Sequence, residues 1–393
     1  MTEGHSGVRK TETMTSRERV VRTLNHEPVD RVPIDLGSHM STGISAFAYW
    51  NLREHLGLAT DDICIPDTVQ FLATVDEDIR RRFHVDCILL EPPWRRARRW
   101  NPRGKYDFVI PAEMNPQRND AGEWVVRKGD ASMRMPEGGF FFDGDWINSW
   151  GEGSEGDNIA RYACEAERIY KETPYATNFV GYTLGLGFGA YFGGIDRWER
   201  MLTDPDGLIA YHARECEDSI ARAGRILDAM GKHIQLITIC DDMGGQAGPM
   251  CRPELVERCT MPFIRKFCDF VHKNSDVKIY MHNCGSIKVY IPMLIEAGVD
   301  VLNPVQISAA DMDPRELKAE FGDNIVFWGG GCDTQRVLGV GTPDEVAANV
   351  RELACIFKPG GGFVFNQVHN IMGDVPPENI VAMFDAAYEE AFL

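Results

Sequence analysis

Met281-His282-Asn283-Cys284-Gly285-Ser286 is the stretch of this chain best suited to chemistry. A histidine and a cysteine two apart at a strand end can aim an imidazole and a thiolate at one point. Those are the donor types that a borderline-soft Zn2+ prefers. The pair alone is more often part of a packed core, so a site needs a third ligand from elsewhere. Asn366-Gln367-Val368-His369-Asn370 offers His369, and Gly329-Gly330-Gly331-Cys332-Asp333 offers Cys332. Three protein ligands with an open fourth position would make a catalytic zinc site rather than a structural one. Cys240-Asp241-Asp242-Met243 adds two consecutive acids. Neighbouring side chains at a strand end point in different directions, so one acid at most need face the site. Asp242 is the first candidate and Asp241 the second. Such a carboxylate can bond a substrate hydroxyl, complete a metal shell or shuttle a proton; its bland role is to cap a turn.

These residues need a frame that brings them together. Short runs rich in apolar and β-branched residues lie at 32–36, 85–90, 178–184, 233–240, 277–282, 299–303, 325–328 and 363–366. Each reads as a strand buried on both faces. Helical patterns alternate with them at 16–26, 43–56, 159–172, 205–230, 252–274, 287–296, 313–321, 343–356 and 377–391. Pro253, Pro314 and Pro377 stand near helix starts, and Gly231, Gly298 and Gly322 near helix ends. Strands and helices alternating over this length predict an α/β fold, a (β/α)8 TIM barrel. A doubly wound sheet also alternates. The barrel is favoured because residues capable of chemistry follow almost every strand, on the face where barrel sites are built. Residues 91–150 break the rhythm and are expected to be a small β excursion inserted after the second strand. The expected organisation is one barrel domain over 15–393, preceded by a flexible tail at 1–14.

Composition narrows the function further. Of 393 residues, 44% are hydrophobic and 25% charged, the balance of a globular protein with a sizeable core. The formal charge of −18 opposes nucleic acid as a partner. Eleven scattered cysteines, an odd number, are expected as reduced thiols. No apolar run approaches a membrane span and the polar start lacks a signal-peptide core, so a cytoplasmic protein is expected. Gly185-Leu186-Gly187-Phe188-Gly189-Ala190 is not the dinucleotide fingerprint; it suits close backbone approach to a bulky ligand, or a turn. Phosphate-loop and nucleophile-elbow motifs are absent. Trp94-Arg95-Arg96-Ala97-Arg98-Arg99-Trp100, continued by Arg103 and Lys105, is read as a solvated rim of the excursion rather than a polyanion site.

The opening Ser16-Arg17-Glu18-Arg19-Val20-Val21-Arg22-Thr23-Leu24-Asn25-His26-Glu27-Pro28-Val29-Asp30-Arg31-Val32-Pro33 resembles the start of the uroporphyrinogen decarboxylase superfamily. The resemblance runs from about Thr15 to the C-terminus, is strongest over 233–391, and implies a (β/α)8 barrel. That superfamily holds true decarboxylases and zinc methyltransferases that exchange methyl groups with corrinoid proteins. Its decarboxylases grip substrate carboxylates with Arg-Gln-Ala-Gly-Arg after the first strand. The corresponding Asp35-Leu36-Gly37-Ser38-His39-Met40-Ser41 has no arginine. The methyltransferase branch carries His-x-Cys and a distant Cys, all binding zinc. His282 and Cys284 match the first two, and alignment on Pro377-Glu378-Asn379-Ile380 puts the third at His369. A Cys-to-His change keeps a competent ligand and makes the site harder and less negative, which suits an oxygen ligand and puts a thiol acceptor in doubt.

The resemblance therefore implies a corrinoid-linked, zinc-dependent methyltransferase with His282, Cys284 and His369 as metal ligands. Asp242 or Asp241 would orient substrate or manage a proton. Turns around Gly187 and Gly330 would leave room for a flat corrin. No Asp-x-His-x-x-Gly corrinoid motif is present, so the corrinoid must come on a partner protein. The small substrate is the methyl donor, such as a methoxylated compound, or the acceptor, and a homodimer is an open expectation. The alternative is a metal-free decarboxylase or lyase acting on a non-porphyrin substrate, followed by a non-catalytic paralogue.

Overall fold

A computed structural model describes residues 11–148, 150, 153–181 and 196–392. At its centre, seven parallel strands lie side by side in chain order: β1 (Cys87–Leu89), β2 (Ala176–Val180), β3 (Leu236–Cys240), β4 (Lys278–His282), β5 (Val301–Asn303), β6 (Val326–Trp328) and β7 (Phe363–Val364). The expected eighth strand, at 32–36, is reduced to one residue that bridges both free edges. Ile34 pairs in parallel with Val85 beside β1 and with Phe365 beyond β7. The Asp86 amide donates to the Ile34 carbonyl and the Phe365 amide to the Pro33 carbonyl, both at 2.8 Å. Pro33 has no N–H to give, which keeps the ladder from extending. The curled sheet nonetheless meets itself around Ile34, as a TIM-like barrel.

Alternation along the strands separates two cores. Cys87, Ala176, Leu236, Tyr280, Val301, Val326, Trp328 and Val364 form a cluster inside the barrel. Val20 and Leu24, from the helix Ser16–Leu24, join it and plug the N-terminal end. The intervening residues, among them Ile237, Ile239, Ile279, Met281, Leu302 and Phe327, face outward into the core shared with the helices. The helices start where their caps stand. Asp204 caps Pro205–Met230, and Thr342 with Glu345 forms a capping box for Pro343–Phe357.

Two peripheral regions take definite form. Residues 11–14, expected to be loose, are tied down: the Thr13 and Met14 amides donate to Asp30, and Glu12 pairs with Arg19 and Arg31. The excursion after β1 is built of two small sheets. Gln117–Arg118, Trp124–Lys128, Ala131–Met135 and Asp143–Gly144 form an antiparallel sheet. Ala97–Trp100 and Phe108–Pro111 form a second, which recruits Ile63–Cys64 from before β1. The basic segment works as an internal rim: Arg96 pairs with Glu113, Arg99 with Asp62 and Asp107, and Lys105 with Glu54. Among the described residues, no helix is long and apolar enough to cross a membrane.

Candidate metal centre

Period-two alternation turns Tyr280 and His282 into the barrel, and register puts Cys240 and Asn303 level with His282 on either side. His282 is thus the last inward residue of β4, at the barrel mouth. Its Nδ1 donates to Asn303 Oδ1 at 2.8 Å, while Asn303 Nδ2 donates to the Trp328 carbonyl at 2.9 Å. The second bond fixes which way the amide faces, so the first leaves the His282 Nε2 lone pair directed into the mouth.

Cys284 is held by an interlock between the loops after β3 and β4. Gly285 has φ +86°, and a side chain there would lie 2.3 Å from the Gly244 backbone. Only glycine permits this approach. Across it, the Cys284 amide donates to Asp242 Oδ1 and the Met243 amide to Asn283 Oδ1, both at 2.9 Å, while the Gly285 amide donates to Gln306 Oε1, from the loop after β5, at 2.9 Å. The result sets Cys284 Sγ 3.3 Å from His282 Nε2. Two ligands of one tetrahedral zinc lie about 3.5 Å apart.

His369 completes the group. It follows β7 in a left-handed turn with φ +63°, a conformation that histidine adopts more readily than most residues. Its ring centroid lies 5.6 Å from that of His282. One potential ligand atom from each of His282, Cys284 and His369 lies within 4.8 Å of the other two. Among the described residues, they are the His, Cys, Asp and Glu side chains that meet this way in a group of three. Burial, with His282 close by and Asp242 opposing, lowers the His369 pKa to about 4. It is therefore neutral, as a ligand must be, at physiological pH. Burial and the Asp242 carboxylate push the Cys284 thiol well above its usual range. In the absence of a cation, the sulfur keeps its proton.

The two acids diverge. Asp242 is part-exposed beside the cluster, with Oδ1 3.7 Å from His282 Nε2. Asp241 is fully buried in an ion pair with Arg197, which directs its charge away from chemistry. Cys332 is also fully buried in the outer apolar core and does not join the group. At Gly330, with φ +71°, a side chain would meet Val305 at 3.2 Å and Phe357 at 3.3 Å, so this turn requires glycine. Gly187 lies outside the described residues. Asn303 and Gln306 were missed by sequence reasoning, although Asn303 ends a predicted strand, which is a usable signal for a mouth residue. His39, 3% exposed with its ring centroid 5.4 Å from that of His282, was missed as well.

Comparison with known proteins bears on the family and the fold. Residues 219–390 match the family model described as Uroporphyrinogen decarboxylase (URO-D). A uroporphyrinogen decarboxylase from Psychromonas ingrahamii is 36% identical over 78 residues, which are 20% of this chain and 21% of that protein. The match thus spans about a fifth of that relative's length. Among solved structures, a methyltransferase from Methanosarcina mazei superposes with a TM-score of 0.55 at 16% identity, covering 96% of this chain and 99% of that one. At that identity the likeness establishes the fold.

Proposed function

Residues 219–390 match the uroporphyrinogen decarboxylase family model, and on that premise we propose that this chain is a zinc-dependent methyltransferase. It moves a methyl group between a small substrate, in the first instance a methoxylated compound, and a corrinoid carried by a partner protein. The observation that carries this reading is the meeting of His282, Cys284 and His369 at the barrel mouth. One thiol and two imidazoles, one of them held neutral by burial, fit zinc, and three protein ligands leave a fourth position for substrate. Zinc bound there would supply Lewis acidity toward the heteroatom bearing the methyl group, and the corrinoid a cobalt to exchange it.

The chain's own residues do the positioning. Asn303 fixes the ring of His282 through Nδ1. Asp242 steadies the Cys284 backbone through Oδ1, and its part-exposed carboxylate is suited to take the proton of an incoming hydroxyl or thiol. Asp241 is committed to its buried ion pair with Arg197. A metal-free decarboxylase is the second reading, favoured by the name of the 36%-identical relative. It lacks a carboxylate grip in the Asp35–Ser41 stretch, which has no arginine.

Metal analysis of protein purified without chelator separates the two. About one zinc per chain is expected, lost in both Cys284→Ala and His369→Ala, with methyl transfer to added cob(I)alamin in the wild type alone. Zinc-free protein in every preparation, even after zinc is added back, would overturn the methyltransferase reading.

A further inference from the structure

Resting on the reading of His282, Cys284 and His369 as metal ligands, we propose that Gln367 and Asn370 are the positioning residues of the third ligand. They staple the His369 turn to the 40–43 loop across the seam where the barrel closes. His282 and Cys284 need no such staple, because strand register and the interlock of neighbouring loops place them. His369 lies beyond the end of β7, outside any strand or helix, with φ +63°. A non-glycine residue keeps a left-handed conformation where the bonds around it over-determine it.

The turn is held from two sides. Toward β6, the Val368 amide donates to the Cys332 carbonyl at 3.0 Å, and the Thr334 hydroxyl donates to the Val368 carbonyl at 2.6 Å. Toward the seam, the work falls to two buried side-chain amides. Gln367 Nε2 donates to the His369 carbonyl at 2.9 Å and to the Thr42 carbonyl at 3.3 Å. Asn370 Oδ1 accepts from the Gly43 amide at 2.8 Å. Its Nδ2 donates to the Met40 carbonyl at 2.9 Å and to Gln70 Oε1 at 2.8 Å. An Ile44–Ile371 bridge continues the attachment.

These bonds act on His369 in particular. Thr334 holds the peptide group before its Cα, through the Val368 carbonyl, and Gln367 holds the one after it, through the His369 carbonyl. Fixing both planes fixes the direction in which the Cα–Cβ bond leaves the chain. Asn370 then ties the whole turn to its neighbour loop. Ile34 joins the two sheet edges through one residue only, so beyond Ile34 these loop contacts close the seam in place of a ladder. Truncating either amide strands buried carbonyls or an N–H on the 40–43 loop, and frees the turn on the side that faces it.

The test titrates full-length, chelator-treated protein with Co2+ in place of zinc, because its visible absorption reports the ligand set without turnover. The wild type is expected to take up about one Co2+ per chain with the strong absorption of a four-coordinate site. Asn370→Ala should lower the affinity by about 10–100-fold, as loss of an outer-shell partner does, and weaken the absorption as His369 gives way to water. Gln367→Met, which keeps the side-chain length and removes the donor, should act in the same direction. Combined with His369→Ala, neither change should weaken binding further, because the ligand it positions is already gone. Undiminished affinity in folded Asn370→Ala and Gln367→Met proteins overturns the proposal. So does an equal loss with and without His369, which would be an effect on the fold as a whole. If Asn370→Ala does not fold, Gln367→Met and its combination with His369→Ala decide. Uptake of Co2+ that ignores both amides sinks this assignment alone. No uptake by the wild type sinks the metal reading, and the assignment with it.

Discussion

At the N-terminal end of the barrel, Arg19 and Arg31 converge on Asp86 at 2.7 and 2.6 Å, with Asp30 and Glu12 closing the group. At the opposite end, His282, Cys284 and His369 converge with one part-exposed carboxylate, Asp242, beside them. Both groups are polar and largely buried, but the first is matched charge against charge. The second gathers donor atoms whose lone pairs a cation would share once the Cys284 thiol gives up its proton. A buried cluster complete within itself holds the chain together, whereas one that lacks a centre is built to receive something. The same contrast separates neighbouring residues: Asp241 is neutralised by Arg197, and Asp242 is left beside the cluster.

Cys284→Ala tests the contrast most severely. Bound zinc should fall from about one per chain to near zero with the melting temperature of the metal-free protein almost unchanged, because the thiol is one donor of an open group. A large drop in that melting temperature would make Cys284 structural. Asp86→Ala should do the reverse. It leaves two buried guanidiniums without their shared carboxylate, a loss of about 3–5 kcal/mol that denaturant unfolding would register, while zinc stoichiometry at low temperature is retained. Next in size is Asn303→Ala, which frees the His282 ring; competition with a chromophoric chelator should show zinc affinity down about 10–100-fold. Asn303→Asp keeps an acceptor for Nδ1 and should recover part of that loss.

Acid sharpens the comparison with the smallest effect. The Cys284 thiol, its pKa raised by burial and by Asp242, must lose its proton to bind a cation, so zinc affinity should rise with pH by about tenfold per unit. Glu12 runs the other way: hydrogen bonding to His84 and the charge of Arg31 hold it at about 2, below its usual 4.5. Its contribution to stability is present above 4.5 and fades as pH falls from there toward 2. Acid titration should therefore release the metal before it loosens the N-terminal cluster. Release and unfolding in one step would mean that the two ends are not independent.

Much of the frame is legible in residue pattern. The short apolar runs became the strands β1 to β7, and the helix patterns at 205–230 and 377–391 coincide with Pro205–Met230 and Pro377–Ala391. The run at 32–36 failed as a regular strand because Pro33 removes a ladder donor, a local fact that periodicity ignores. The β character of the excursion was legible, but the pairing of Ile63–Cys64 with it was not, because pairing across that distance leaves no trace in spacing.

For the candidate site, sequence alone determined that His282 and Cys284 lie together at a strand end, since two residues of separation and a period of two leave little freedom. It placed Asp241 and Asp242 at the next strand end for the same reason. Only the tertiary structure decided which acid is committed to Arg197, and that His369 rather than Cys332 reaches the pair. Asn303 and His39 also became visible only there, through a bond to His282 and an unpartnered nitrogen. Local periodicity dictates which way a side chain leaves its own strand. What it meets depends on curling the sheet until residues hundreds of positions apart share one mouth, and on which of them find partners on the way.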